Sequence, residues 1–336
     1  MKSIFIVNSP LQLLNASEAR AYFKIDNCIL IIKGSNNKIH NAQINKILEI
    51  WKWDNIVRLP LIKGLSYFRD IIYLKYLTLK KERYEYLFFG DYSPITLRIY
   101  AINLMADNVI LLDDGLVTIT ITKQYLSENN YIDYVYSPIG DKIRKIIANT
   151  LFLKTKFRNK IDLFSCYNVN THKGQNLFVN KYDLVNKIFE KEEYAIDKTN
   201  IYFIGAQYVE MGIICIENYI KIFEKLIETY PDKRIIYVPH RFENEEKLNK
   251  LAKLNIEVRH FDNIFELEFI FMKIYPVNIL GFLSSAMVTM QCIYKQANII
   301  NINLNEKYIE PKFKETFANL QESYTLENNI KSILIE

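Results

Sequence analysis

Short apolar runs alternate along this chain with longer stretches in which apolar side chains recur at helical spacing. Ser3–Val7, Cys28–Lys33, Asn55–Arg58, Tyr86–Gly90 and Asn108–Leu112 read as strands, and 11–23, 42–51, 66–81 and 94–105 between them as amphipathic helices. From 154 to 199 the pattern breaks into short polar and aromatic pieces, among them His172-Lys173-Gly174-Gln175 and Glu190-Lys191-Glu192-Glu193, which reads as a crossover between domains. A second series follows. Its strands are Asn200–Gly205, Arg234–Val238, Ile256–Arg259, Val277–Leu283 and Ala297–Ile302, with helices at 214–230, 243–254, 265–272, from near Ala286 onward, and at the C-terminus. Strands alternating with helices predict βαβ units and parallel sheets. The expected class is α/β with two Rossmann-like domains, 1–155 and 199–336, joined by a crossover at 156–198. Two such domains facing each other hold a ligand in a central cleft at the carboxyl ends of their strands.

Composition narrows the partners. A chain of 336 residues that is 50% hydrophobic has enough apolar material for more than one core. The net charge of +5 is spread, with Lys and Arg interleaved among Asp and Glu, so nucleic-acid binding is not expected and an anionic small molecule or a membrane surface is. The densest basic stretch, Lys142 to Lys160, carries Ile147, Leu151, Phe152, Leu153 and Phe157. A solvated helix face explains it most simply, and peripheral attachment to anionic lipid is the second reading. Cys28, Cys166, Cys215 and Cys292 form no CxxC pair and look like small buried residues of a reducing compartment. No apolar run approaches the ~18 residues of a membrane span. The first apolar run is too short for a signal peptide, so a cytoplasmic protein is expected. Trp51, Trp53, Tyr73 and Tyr76 are candidates for a homodimer surface or for the core.

Candidate chemistry sits just after strands, where such folds bind ligands. Ser9-Pro10-Leu11-Gln12 follows the first strand, Gly90-Asp91-Tyr92-Ser93 another, and Asp113-Asp114-Gly115 a third. In the second series, Gly205 to Gly212 with Glu210, Pro239-His240-Arg241, and Ser284-Ser285 occupy the same kind of position. Singly, each has a simpler role as cap, turn or solvated loop. Together they suit acid–base group transfer to or from a phosphate. Glu210 or Asp114 would take a proton from an acceptor hydroxyl, His240 would face the leaving phosphate, and helix-start amides with two hydroxyls would stabilise it. A hard metal ion wants several converging oxygens, and no second acidic strand end accompanies Asp113-Asp114 in sequence, so no metal or other cofactor is expected. His40, His172, His240 and His260 lack HxxH spacing, and no Walker loop, GxSxG or GxGxxG occurs.

The ordered set Ser9 to Glu18, Asp113-Asp114-Gly115, Gly205 to Glu210, Val238-Pro239-His240-Arg241 and Phe282 to Ala286 resembles the bacterial sialyltransferases of glycosyltransferase family 52, typified by lipooligosaccharide sialyltransferases. The resemblance implies a GT-B fold, a CMP-sialic acid donor, metal-independent inversion, and a galactose-terminated glycan of lipooligosaccharide or capsule as acceptor. It makes His240 the general acid and phosphate contact, Ser284 and Ser285 the hydroxyl pair on that phosphate, and Glu268, with Glu266 second, the nucleoside contact. Arg241 stands where some relatives have proline and would add a phosphate contact. Ser9, Gln12 and Asp113 fall on the acceptor side. The base stays open between Glu210 and Asp114: one branch of the family has aspartate where this chain has Tyr208, and related polysialyltransferase families use an acidic-acidic-glycine motif. Another CMP-linked nonulosonic acid, a UDP-hexose, or a non-catalytic role in a capsule assembly complex are the alternatives.

Overall fold

The computed structural model describes residues 1–336 apart from 63, 127–133, 136, 158–159 and 241, and apart from the side chains of 323 and 326–328. The chain forms two compact units, Met1–Leu184 and Val185–Glu336. Their division falls inside the stretch expected as crossover.

Among the described residues, unit 1 builds a seven-stranded sheet from β1 (Lys2–Val7), β2 (Cys28–Lys33), β3 (Ile56–Leu59), β4 (Arg83–Phe89), β5 (Met105–Leu112), β6 (Asp162–Ser165) and β7 (Leu177–Val179). The order is β3-β2-β1-β4-β5-β6-β7 and every pairing is parallel. Helices α1 (Pro10–Tyr22), α2 (Lys38–Ile50), α3 (Ser66–Leu79), α4 (Ile95–Asn103), α5 (Val117–Gln124) and α6 (Pro138–Thr150) connect them. Strand β1 is central, and Ile4, Phe5, Ile6 and Val7 are wholly buried, which is why it reads as an unbroken apolar run. Phe5 stacks on Phe88 at 4.4 Å and meets Trp53 edge-on at 5.0 Å. Trp53 therefore belongs to the core, Trp51 and Tyr73 are half-buried, and of these four aromatics Tyr76 is exposed.

Helix α7 (Asp183–Lys191) begins at the division. Unit 2 pairs β8 (Ala195–Ile204), β9 (Arg234–Val238), β10 (Glu257–Val258), β11 (Ile274–Gly281), β12 (Asn298–Leu304) and β13 (Lys331–Ile335) in the order β10-β9-β8-β11-β12-β13, again all parallel. Its helices are α8 (Ile216–Thr229), α9 (Glu245–Ala252), α10 (Phe265–Met272), α11 (Ser285–Ile293) and α12 (Lys314–Asn328). Phe203, Phe223, Tyr237 and Phe282 interlock in its core; Phe203 meets Phe282 edge-on at 5.0 Å and stacks on Tyr237 at 5.8 Å.

Both units are thus Rossmann-like. The stretch 154–199 holds more order than its polar sequence predicts, because β6 and β7 extend the first sheet from its edge. All four cysteines are free, but only Cys28 is buried, whereas the sequence suggested burial for each. Among the described residues no helix is long and apolar enough to cross a membrane.

Candidate active site

In unit 1 the strand order reverses between β1 and β4, and a crevice at such a reversal is where open α/β sheets bind ligands. Ser9, just past β1, caps α1: its Oγ accepts the Gln12 amide at 3.2 Å, and Pro10 occupies the first turn. Gln12 is wholly buried. Its Oε1 accepts the Asn8 amide at 2.9 Å, which turns its Nε2 toward Asp114 Oδ1, also at 2.9 Å. Gly90, at the end of β4, leaves room for this, since a Cβ there would lie 2.1 Å from Gln12 Oε1.

Asp91 follows Gly90 and hydrogen-bonds Asp114, while its Oδ1 accepts the Ser93 amide at 2.7 Å. Two carboxyl groups bond in this way only when one carries a proton. Burial, and then the charge of Asp91, push Asp114 up to about 7; hydrogen bonds from Gln12 and Ser9 act in the opposite sense. Burial raises Asp91 as well. The sequence left Asp91 unassigned because only the adjacency of β4 and β5 brings it to Asp114.

Asp113 behaves differently from its neighbour. Expected on the acceptor side, it is wholly buried, and its Oδ2 accepts the Cys166 amide at 2.7 Å just past β6. Successive residues leaving a strand point to opposite sides, so one aspartate of the motif braces the sheet while the other meets Asp91. Helix α1 reinforces this end of the sheet. Asn15 Nδ2 donates to the Asp113 carbonyl at 3.0 Å, and its Oδ1 accepts from Asn180 at 3.1 Å and Tyr182 at 2.8 Å. Glu18 Oε2 accepts the Leu184 amide at 2.9 Å. A cavity of about 480 Å³ opens beside Asp91, lined among others by Asn8, Lys33, Arg69 and Arg144. Lys33 pairs with Asp70 at 3.2 Å, and burial lowers its pKa.

In unit 2 the corresponding strand ends carry His240 and the serine pair. His240 is exposed, with its backbone fixed on both sides by Glu243: its amide donates to Glu243 Oε1 at 2.7 Å, and its carbonyl accepts the Glu243 amide at 3.0 Å. Glu243 Oε2 accepts Tyr237 Oη at 2.6 Å and pairs with Lys247 Nζ at 3.0 Å. The buried Lys247 ammonium also donates to the Ala206 carbonyl and to Glu210 Oε2, each at 3.0 Å. Glu210 Oε1 accepts the Asn244 amide at 2.9 Å, so both of its oxygens are engaged in holding the start of α9. Gly205 repeats the device of Gly90, for a Cβ there would lie 2.4 Å from Glu243 Oε1.

Ser284 caps α11, its Oγ accepting the Ala286 amide at 3.3 Å, and Tyr324 Oη donates to its carbonyl at 2.6 Å. Ser284 and Ser285 are half-buried. Glu268 is buried; its Oε2 accepts the Asn263 amide at 2.9 Å and the Asn263 side chain, tying down the turn that starts α10. Glu266 Oε1 accepts Thr289 Oγ1 at 2.9 Å and joins α10 to α11, and burial raises its pKa. Arg241 lies outside the described residues. Among the described residues no three His, Cys, Asp or Glu side chains are grouped so as to hold a metal ion.

The architecture is similar to that of UDP-GlcNAc 2-epimerase from Methanocaldococcus jannaschii, with 13% identity and a TM-score of 0.54 over 100% of this chain and 89% of that one. The UDP-GlcNAc 2-epimerase of Neisseria meningitidis bound to UDP-GlcNAc aligns over 98% of this chain and 95% of its own at 12% identity, with a TM-score of 0.47. The first of these shows the fold: two Rossmann-like parallel-sheet units, the GT-B type. No curated protein matches the chain. A family model described as alpha-2,8-polysialyltransferase (POLYST) matches residues 3–302, nearly the whole chain. The chain belongs to that family and is a sialyltransferase, hence a glycosyltransferase.

Proposed function

We propose that this protein transfers sialic acid from CMP-sialic acid to a hydroxyl of a bacterial surface glycan, without a metal ion and with inversion, and that Asp114 is the base. The observation that carries the reading is the Asp91–Asp114 pair, in which Asp114 is aimed by Gln12 and raised to about 7. A base with a pKa near working pH combines an available ionised form with useful basicity. Asp114 takes the proton of the acceptor hydroxyl as that oxygen bonds to the anomeric carbon. The bond from that carbon to the CMP phosphate breaks, and its electron pair leaves with CMP. His240 neutralises or protonates the departing phosphate, and the hydroxyls and first amides of α11 at Ser284 and Ser285 hold it. Glu210, bonded through both oxygens, serves instead to anchor the loop before α9 against Lys247. Arg241 adds a phosphate contact.

Two acceptors follow from two observations. The resemblance to family 52 points to a galactose-terminated glycan of lipooligosaccharide or capsule. The activity in the name of the matched family points to a sialic acid terminus and repeated addition, and we favour it because that match spans nearly the whole chain. The deciding experiment incubates the protein with CMP-sialic acid, chelator, and either lactose or an α2,8-disialylated lactoside. Extension of the disialyl acceptor alone selects the second reading, and extension of lactose selects the first. If CMP binds but neither transfer nor donor hydrolysis occurs, a non-catalytic role replaces both. Transfer only from UDP-hexoses or other CMP-nonulosonic acids would replace the donor.

A further inference from the structure

Helix α3 is apolar around most of its circumference. Ile71, Leu74 and Leu77 face the core, yet Phe68, Ile72, Tyr76 and Leu79, spaced along the opposite face, are exposed. Helix α6, its neighbour, is turned the unusual way round. It buries Asp141 and Ala148, while Ile139 (77% exposed), Ile143 and Ile146 face outward, and Phe152 just beyond its end is 91% exposed. A helix ordinarily points its apolar stripe at the core, and a stripe pointing outward on two adjacent helices marks an interaction surface. The two sets are continuous. Tyr67 Oη donates to the Arg144 carbonyl, the Arg144 guanidinium lies 5.8 Å from the Tyr67 ring, and Lys75, one turn on from Ile72, lies 5.9 Å from the Phe152 ring.

The charge on this face selects its occupant. Between Ser66 and Lys81 the one acidic residue is Asp70, and between Pro138 and Lys156 it is Asp141. Both are buried and paired, with Lys33 and Arg69 in the first case and Arg144 in the second. The charges that these two stretches leave exposed are cationic: Lys80, Lys81, Lys142, Lys154 and Lys156 are exposed, and Lys75 and Lys145 partly so, while Glu82, just beyond, pairs with Lys2. A second copy meeting this face through a twofold axis would set lysine against lysine. Apolar side chains ringed by lysines suit a bilayer with anionic headgroups, the former entering the headgroup–acyl boundary and the latter meeting phosphates.

We propose that the outward faces of α3 and α6 dock the protein peripherally on an anionic lipid surface. The proposal stands apart from the transferase reading, since none of the outward apolar residues or of the lysines around them lines the cavity beside Asp91. Co-sedimentation of the full chain with phosphatidylcholine vesicles, and with vesicles containing equal phosphatidylglycerol, tests it. Binding is expected to the anionic vesicles only and to weaken as salt rises. The combined variant Ile143→Ser, Ile146→Ser, Phe152→Ser should bind at least about tenfold more weakly, through lost apolar burial. Lys142→Gln with Lys145→Gln should weaken the preference for anionic lipid while the other lysines of the face keep part of it, and thermal melting checks that both variants fold. Absence of vesicle binding, or binding that both variants retain, overturns the proposal. So does a solution dimer that the apolar variant dissociates, which would make a second copy the occupant.

Discussion

A methyl group at position 90 would sit 2.1 Å from Gln12 Oε1, so Gly90→Ala displaces the side chain that orients Asp114. We expect kcat to fall by about tenfold to a hundredfold, the cost of one hydrogen bond to a charged group, with CMP affinity unchanged; steady-state kinetics and calorimetry check the split. Asp91→Asn acts on acidity instead. It removes the second carboxyl, whose charge helps to raise Asp114, so Asp114 moves down from about 7 toward its usual 3.8. The base is then ionised at lower pH, and the rising limb of kcat/KM against pH should shift to lower pH; an unmoved limb would take Asp114 out of the role. His240→Ala should lose about 10²–10⁴ in turnover, the usual range for an acid–base group. The position of Asp114 and His240 just past strand ends was legible in the sequence, because those strands read clearly. The approach of Asp91 to Asp114 was not, since it depends on which strands are neighbours. Nor was the structural use of Asp113, which depends on the direction a side chain takes as its strand ends.

Buried polar networks tie whole elements together, and Lys247 of α9 is one such knot. In sequence Lys247 looks like one more solvated lysine of a charged helix, but it is wholly buried among Glu210, Glu243 and the Ala206 carbonyl. Removing it leaves two carboxylates without their cation, so Lys247→Ala should cost about 3–5 kcal/mol in chemical denaturation. It should also loosen His240, whose amide relies on Glu243. The strands Cys28–Lys33 and Arg234–Val238 coincide with the expected bounds because buried parallel strands are unbroken apolar runs. Strands β6 and β7 gave no such signal: the first opens on Asp162 and the second is three residues long. Helix α6 reads as a solvated basic face because its apolar residues do point outward.

At the scale of the molecule, acidity couples to folding through buried carboxyls. Asp113 is wholly buried and burial raises it from 3.8 to about 7, so between those values the folded state holds a proton that the unfolded state has released. Its contribution to stability is therefore fully present below about 3.8 and is lost as pH rises through about 7. A slope of up to about 1.4 kcal/mol per pH unit is expected across that window, and Asp113→Asn should flatten it in denaturation curves taken from pH 5 to 8. The two-unit plan itself was legible from strand–helix alternation, while β6 and β7 were not, because they belong to unit 1 yet read as crossover. The parallel sheets also set a schedule. Each strand pairs with one that arrives only after an intervening crossover, so neither sheet grows from local hairpins. All seven strands of unit 1 have been synthesised before Ala195 begins the first strand of unit 2. During translation, Asp91 and Asp114 can already be side by side while the codon for His240 has yet to be read.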